Sequence, residues 1–517
     1  MRSARGPALL AGLLLLHASA GCTPPADRRA TLTLAIDSGP ASLDPRLGSD
    51  EASRRVNDLL YNGLFRIDAA ARAVPDLAES YERPDDLTVT VRLRPDVRFH
   101  NGHRLTAADV AYTYRSILSN EVPSFRRADL DVLRSVSVAD PRTVVFRLSR
   151  PFAPILSNLN IPILAAGAGR AAARRPNGTG PFRLQRYRKD EDLLLVRFAQ
   201  SFEGPAGVGS LRLRIIPSET ARLLEILKGG VDMIINDLSP DQLPRLRSTP
   251  GIEVEGVPGR NCVYMAFNLQ DPILQDRRVR QAFALALDRS SIVDYLLHGR
   301  AALATGLLPR GHWACAGDAR RYSPDPAAAR RLLDEAGHPD PDGGGPEPRF
   351  RVTYKTTTSE LAQQQAAIIQ QQLAAVGIAI DIRAYEWGTF YDDLRAGRFQ
   401  VVVSNWTEIG DPDIYRLRFH SAYRPPRGFN RGGYANPEVD RLIESGATAG
   451  GETERRRIYG ALQRILAEDL PYVYLWHRDV VVARRARVRG FRLLPGAEFH
   501  PLREVTLTGP AGDGTGP

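Results

Sequence analysis

The sequence predicts an α/β fold divided into more than one lobe. In the second half, residues 350–355, 378–385 and 399–404 have the composition of strands. Apolar residues at helical spacing separate the first two strands, and a short helix begins at Thr389 before the third. This β-α-β-α-β order is typical of a sheet covered by helices. A chain of 517 residues also exceeds a single hydrophobic core, which favours two or three lobes.

The first half mixes helices with alternating strands. Residues 31–36 are predicted to form a strand, and residues 52–65 carry apolar side chains at helical spacing. The stretch 86–99 alternates as a half-buried strand does, and Thr106 with Asp109 has the spacing of a helix capping box. The same patterns predict strands at 143–149 and 192–198 and helices at 218–227, 276–288, 359–376, 437–446 and 452–468.

The first residues have the pattern of a secretory signal. Arg2 and Arg5 give a positively charged start, and residues 8–16 form an apolar segment that is too short to span a bilayer. We therefore assign residues 1–21 to a signal peptide and expect the protein to be exported. No other segment is long and apolar enough to cross a membrane.

Two processing routes remain open at the end of this signal. Ala18-Ser19-Ala20 suits cleavage after Ala20, which would release a protein without an anchor. Ser19-Ala20-Gly21-Cys22 resembles a lipobox, although Leu is usual at the position of Ser19. The polar stretch after the cysteine favours lipidation of Cys22, with residues 22–30 as a tether to the membrane.

The basic composition does not indicate a nucleic-acid partner. The formal net charge is +10, but Lys189, Lys228 and Lys355 are the only lysines. Arginine is favoured by GC-rich codons, and alanine, glycine and proline are abundant as well. The arginines are dispersed, without the basic cluster or aromatic stripe of a nucleic-acid interface.

Enzymatic and metal motifs are missing from the sequence. His100 and His103 lie three apart without a third ligand nearby, and the G-x-G-x-x-A match at residues 167–172 lacks a surrounding βαβ unit. We expect no enzyme activity, no cofactor and no metal site. Cys262 and Cys315 remain after Cys22, and an exported protein could pair them in a disulfide or keep two separate thiols.

A series of motifs in a fixed order covers nearly all of residues 31–495. They include SGPASLDPRLGSDEASRRVNDLLYNGLFRID, NGTGPFRLQRY, LKGGVDMII, YMAFNLQDPILQDRRVRQAFALALDRSSIVDYLLHGRA, QQLAAVGIAIDIRAYEWGTFYDDLRAGRFQ, SNWTEIGDPDIYRLRFHS and NRGGYANPEVDRLIESG. Together, and in this order, they resemble the bacterial extracellular solute-binding protein family 5, the substrate-binding proteins of oligopeptide, dipeptide and nickel ABC importers.

The resemblance implies a type II, cluster C periplasmic-binding-protein fold. In such a fold two α/β lobes are joined by a hinge, and the N-terminal lobe carries an inserted subdomain. The implied division is lobe I at 31–48, 179–263 and 485–508, the inserted subdomain at 49–178, lobe II at 264–484, and a disordered tail at 509–517.

The resemblance also implies a role in transport. The protein would be a monomeric receptor in the periplasm or at the outer face of the cell membrane. It would capture a small-molecule ligand, a peptide in most relatives, and deliver it to ABC transporter permease subunits. Oligosaccharides, opines and nickel chelates remain alternative ligands, and an exported sensor or accessory protein remains an alternative role.

The segment after the strand at 399–404 is the first candidate for ligand contact, since ligands of α/β lobes sit beyond the carboxyl ends of strands. Trp406 is expected to form a cleft wall beside Asn405. In peptide-binding relatives an aspartate three residues after this tryptophan pairs with the ligand ammonium, but here that position is Ile409. Glu408 or Asp411 could replace it, and Asp411 could equally be part of a turn.

Two further stretches are candidates by resemblance. Ser38, Gly39, Pro40 and Ala41 match a stretch that lines the cleft in relatives. Some peptide binders have an acidic residue at the position of Gly39, and this chain has none. Tyr385 and Trp387 end the strand at 378–385, where an aromatic side chain could contact ligand or fill the core.

Overall fold

The computed structural model describes residues 31–508 except 49, 120, 237 and 408. The predicted signal peptide, the tether with Cys22, the candidate Glu408 and the predicted tail therefore lie outside the described residues.

The described chain forms strands in five sheets. In chain order they are β1 Thr31–Ile36, β2 Phe65–Ile67, β3 Ala73–Pro75, β4 Ala78–Asp85, β5 Thr88–Leu93, β6 Leu133–Asp140, β7 Thr143–Leu148, β8 Phe182–Arg188, β9 Asp192–Arg197, β10 Ser210–Ile215, β11 Met233–Ile235, β12 Ile252–Val257, β13 Cys262–Phe267, β14 Ala301–Leu303, β15 Phe350–Thr357, β16 Ile378–Tyr385, β17 Val401–Trp406, β18 Tyr472–Arg478, β19 Val480–Arg485, β20 Val488–Arg489 and β21 Thr506–Leu507.

The helices pack on these sheets. They are α1 Glu51–Leu60, α2 Ala107–Leu118, α3 Ile155–Asn158, α4 Glu219–Lys228, α5 Leu243–Arg247, α6 Arg277–Ala286, α7 Arg289–Ser291, α8 Pro326–Glu335, α9 Glu360–Ala374, α10 Trp387–Arg395, α11 Ile414–Phe419, α12 Pro437–Thr448 and α13 Glu452–Asp469. Short 3₁₀ turns include Phe125–Leu130 and His500–Glu504. None of the helices in the described ranges is long and apolar enough to cross a membrane.

Lobe I is built on a seven-stranded sheet in the order β12-β19-β11-β1-β10-β9-β8. The central strand β1 pairs in parallel with β10 and β11, and its residues are almost continuously buried, as expected for a strand covered on both faces. Helix α4 follows the predicted pattern. Ser218 caps its start, and Gly229 adopts a left-handed conformation with φ of 83° at its end.

The inserted subdomain is built on the antiparallel sheet β4-β5-β7-β6. Along β5 the side chains of Val89, Val91 and Leu93 alternate into a core that α2 covers. The predicted capping box is present at the start of α2, where the backbone N–H of Thr106 donates to the Asp109 carboxylate at 2.8 Å. The alternation read from the sequence therefore marks the buried face of this sheet.

Lobe II contains the predicted β-α-β-α-β unit. Its six-stranded sheet has the order β14-β18-β13-β17-β15-β16, and β15 pairs in parallel with both β16 and β17. Helix α9 connects β15 to β16 and ends before Gly377, whose φ is 83°. The mixed α/β fold predicted from the sequence is thus confirmed.

The lobe boundaries differ from the predicted ones at two places. β19 pairs with β11 and β12, so the chain returns to lobe I at Val480 and not at 485. Helix α1 packs into the lobe I core, so the separate core of the inserted subdomain begins near Leu64 and not at 49. The pattern of apolar residues identifies each element, but it does not tell which neighbouring sheet an element joins. The other predicted boundaries stay predictions.

The disulfide that the sequence left open is not formed. Cys262 and Cys315 are both free thiols. Cys262 is buried in β13 and lies 3.6 Å from the Gly306 carbonyl oxygen, while the Cys315 thiol lies 3.7 Å from that of Leu308. Each sulfur is therefore directed at a different carbonyl and not at the other sulfur.

Candidate ligand-binding cleft

A large cleft lies between the two lobes and the inserted subdomain. Its volume is about 2930 Å³, well above the roughly 300–1,000 Å³ of ordinary small-molecule pockets. Lobe I contributes the turn after β1 and the helix α1, and the inserted subdomain contributes the 3₁₀ turn Phe125–Leu130. Lobe II contributes the end of β17 and the segment that follows it. The cleft has space for an extended ligand of several residues.

Trp406, a candidate from the sequence, lines the cleft on the lobe II side. It is the last residue of β17 and pairs with Cys262, so the strand extends two residues beyond the predicted 399–404. The indole is only 7% exposed because Tyr264 stacks on it at 5.6 Å with an interplanar angle of 10°, and Phe429 packs edge-on at 5.7 Å. The neighbouring Asn405 is exposed and also lines the cleft.

Two arginines pack against the same indole. The guanidinium carbon of Arg418 lies 4.1 Å from the centroid of the Trp406 ring, and that of Arg431 lies 4.8 Å from it. Both arginines also contact the Phe429 ring and line the cleft. Burial lowers the pKa of Arg418 to about 10. Neither residue was a candidate from the sequence, because no local pattern distinguishes it among so many arginines.

Asp411 lines the cleft, but its charge is already neutralised. Arg455 donates to both of its carboxylate oxygens, at 2.5 and 2.9 Å, and the backbone N–H of Asp413 donates to one of them at 2.8 Å. Burial alone would lower the pKa of Arg455, but the attraction of Asp411 holds it above its usual value. Asp411 therefore belongs to a turn held by an ion pair, the alternative that the sequence left open.

Asp413 is buried beside a second arginine. The Arg416 guanidinium donates to its carboxylate at 2.9 Å. Burial nevertheless raises the pKa of Asp413 to about 6, because desolvation outweighs the attraction of Arg416. Arg416 also reaches across the cleft to Asp131 of the inserted subdomain at 3.4 Å, and the Tyr423 hydroxyl donates to Asp131 at 2.5 Å. These contacts connect lobe II to the inserted subdomain.

The four lobe I residues at 38–41 that were predicted to line the cleft are divided between the cleft and the interior of the lobe. Ser38 and Ala41 line the cleft, whereas Gly39 and Pro40 pack inward. A Cβ atom on Gly39 would lie 2.9 Å from the Ile215 Cδ1 atom, so the fold has no space for an acidic side chain there without a shift. Asp37, next to this stretch, also lines the cleft and accepts a hydrogen bond from Ser38 at 2.9 Å.

The two candidate aromatic residues, Tyr385 at the end of β16 and Trp387 at the start of α10, have different surroundings. Tyr385 does not line the cleft; the Lys355 ammonium lies 5.2 Å from its ring centroid. Trp387 is 54% exposed, stacks on Tyr391 at 5.5 Å and lines the cleft. Only the second is therefore placed to contact a ligand.

No group of three or more metal-ligating side chains occurs among the residues that the structure describes. His100 is hydrogen-bonded to the backbone at a chain crossing. Its ring lies between the backbone N–H of Gly178, at 3.3 Å, and the carbonyl of Gly180, at 3.1 Å. Burial lowers its pKa to about 4. This histidine therefore packs against a chain crossing.

Comparison with known proteins places this architecture among transport receptors. The family profile of bacterial extracellular solute-binding proteins, family 5 Middle, matches residues 72–424. The chain is 27% identical to a probable di/tripeptide-binding protein 5 of Pseudomonas aeruginosa, over 96% of this chain and 98% of that protein. It is 26% identical to the dipeptide-binding protein of Escherichia coli, over 91% and 93% of the two chains. The structure of the oligopeptide-binding protein AppA from Bacillus subtilis, in complex with a nonapeptide, superposes with a TM-score of 0.84 at 23% identity, covering 93% of this chain and 99% of that one.

Proposed function

The chain belongs to the bacterial extracellular solute-binding proteins of family 5, and we propose that it captures peptides and delivers them to the permease of an ABC importer. Members of this family are binding proteins of transport and not enzymes. The observation that carries the peptide assignment is the size of the cleft together with full-length similarity to di- and tripeptide-binding proteins.

The fold suits capture by closure of the two lobes. The chain crosses between the lobes at two short connections, one between β12 and β13 and one at Asp479 between β18 and β19. A few residues at such connections can absorb the rotation of a hinge. Ligand contacts made only in the closed form would shift the population toward it, and the closed form is the one we expect the permease to bind.

The proposal includes export and a lipid anchor at Cys22. The signal pattern and the membership of an extracellular family support export. Intact-mass measurement of the protein purified from membranes tests the anchor, since a diacylated Cys22 adds the mass of its acyl chains. A protein that begins at Gly21 and is recovered without detergent would contradict lipidation.

A thermal-shift screen tests the ligand class. Di- to pentapeptides, cello-oligosaccharides and Ni²⁺ would each be added at millimolar concentration. A ligand that binds only the folded protein stabilises it by about 2.7 kcal/mol at 100 times its Kd. We expect peptides to raise the unfolding midpoint and the other two classes to leave it unchanged. A shift with a sugar or with Ni²⁺, and none with any peptide, would overturn the peptide assignment.

A further inference from the structure

The cleft wall of lobe II contains two kinds of arginine. Arg416 and Arg455 have carboxylate partners in Asp413 and Asp411. In the described part of the chain, neither Arg418 nor Arg431 has a carboxylate within ion-pair distance, although both line the cleft. The charge of Asp129 favours the charged form of Arg418, but less strongly than burial opposes it.

The hydrogen-bonding capacity of these two arginines is largely unused. Arg418 donates one bond, from Nη1 to the Ile414 carbonyl at 3.1 Å. The Arg431 side chain is 7% exposed and donates no hydrogen bond to any described residue. The Nε atoms of both are buried without a partner. Guanidinium groups are suited to oxyanions because their N–H donors match the geometry of a carboxylate.

Aromatic contacts alone do not offset the free-energy cost of burying two positive charges next to each other. Cation–π contacts with Trp406 and Phe429 favour each charge. Burial costs a cation more of its hydration free energy than such contacts return, and the two like charges also repel each other. A bound anion would supply the missing charge and accept the free N–H groups at the same time.

We infer that Arg418 and Arg431 form an oxyanion subsite, beside Trp406, which takes a carboxylate of the ligand. The inference rests on the proposed function and adds that the ligand places a negatively charged group at this wall of the cleft. The carboxylate could be the C-terminus of a peptide or an acidic side chain.

Calorimetric titration of the full mature protein tests the subsite from the ligand side. The probes are trialanine, trialanine amide, N-acetyl-trialanine, Ala-Glu-Ala amide and the simple anion succinate. We expect amidation of trialanine to weaken binding at least tenfold and N-acetylation to weaken it less than threefold. Recovered binding of Ala-Glu-Ala amide would identify an acidic side chain as a second source of the carboxylate.

Variants test the subsite from the protein side. Arg431→Gln and Arg418→Gln should each reduce the amide penalty from at least tenfold to about threefold or less, because the lost charge no longer distinguishes acid from amide. Arg331→Gln is the matched control, since Arg331 is exposed on α8 and does not line the cleft. It should retain the full amide penalty. The measurements with wild-type protein decide the question even where a variant does not fold.

Each outcome separates the subsite from the peptide assignment. Binding of trialanine and its amide with equal affinity, or an amide penalty that persists in Arg431→Gln, would overturn the subsite and leave peptide binding intact. Binding of succinate by wild type but not by Arg431→Gln, with no binding of any peptide, would support the subsite and overturn the peptide assignment. Binding of neither peptides nor succinate would overturn the subsite.

Discussion

Arg455 and Arg431 are buried to nearly the same extent in lobe II, at 8% and 7% exposed, yet their surroundings are opposite. Arg455 donates to both oxygens of Asp411, whose attraction holds its pKa above the usual value. Arg431 contacts three aromatic rings and no described carboxylate. Arg455 is therefore a buried charge that a carboxylate neutralises, whereas Arg431 is a buried charge that no described carboxylate neutralises.

This difference assigns the two arginines to different tasks. A buried ion pair is strongly disrupted when one partner is removed, because the other charge stays buried alone. A buried charge without a partner has no such dependence, and its unused donors remain for a ligand. Arg455 accordingly holds the turn after β17 in place, while Arg431 faces the cleft that this turn shapes.

At constant pH, the largest expected effect is the loss of the Arg455 ion pair. Arg455→Met should lower the free energy of unfolding by about 3 kcal/mol, because the Asp411 carboxylate keeps its partly buried position without its main cation. Urea denaturation at neutral pH measures this loss. A loss below about 1 kcal/mol would show that the Asp411 turn does not depend on the pair, and the proposed division of tasks would fail.

Asp76 extends the comparison to a buried acid whose carboxylate is bonded by no cationic side chain in the described ranges. Burial, with the nearby charge of Glu203, raises its pKa to about 7 against the hydrogen bond from Asn62. The unfolded pKa is about 3.9. The folded state therefore holds a proton that the unfolded state releases, and the stability from this group is complete below pH 4 and lost as pH rises to 7.

The substitution Asp76→Asn should remove this decrease in stability with rising pH. The stability of wild type relative to the variant is expected to fall with rising pH between about 4 and 7, with a slope of up to about 1.4 kcal/mol per pH unit. Urea denaturation of both proteins across this range provides the measurement. Parallel stability curves would show that Asp76 does not titrate differently in the folded protein.

The sequence predicted the elements of the fold better than their assignment to lobes. The capping box at Thr106 and the helix that starts after Ser218 are local features, so the sequence alone predicts them. The return of the chain at Val480 depends on pairing with β11 and β12, which are distant in sequence. Local patterns contain no information about such a partner.

The candidate site shows the same limit. Trp406 was predicted because it ends a strand, and strand ends are positions where ligands bind. Arg418, Arg431 and Asp37 were missed because their role depends on which groups surround them in space. Asp411 was a candidate for binding a ligand ammonium group, but only the structure shows that its carboxylate is already paired with Arg455.

Two tryptophans that line the cleft, Trp406 and Trp387, also differ in burial, and we expect them to differ in their contribution to ligand affinity. Trp406→Ala should weaken binding of a peptide ligand at least tenfold, about 1.4 kcal/mol, because the indole forms the wall on which both arginines rest. Trp387→Ala should weaken it less than about threefold, since this side chain is 54% exposed at the cleft. Calorimetry, after circular dichroism has verified folding, measures both. Equal losses would contradict the assignment of Trp406 to the binding wall.

The smallest expected effect is the most discriminating one. Arg431→Met should change the free energy of unfolding by less than about 1 kcal/mol, because removal of an uncompensated charge offsets the lost cation–π contacts. The matched reference is Arg455→Met, the same substitution at similar burial, measured in the same urea titration. A loss of about 3 kcal/mol in both variants would mean that the rings stabilise Arg431 as strongly as a carboxylate does, and that this arginine is part of the packing and not reserved for a ligand.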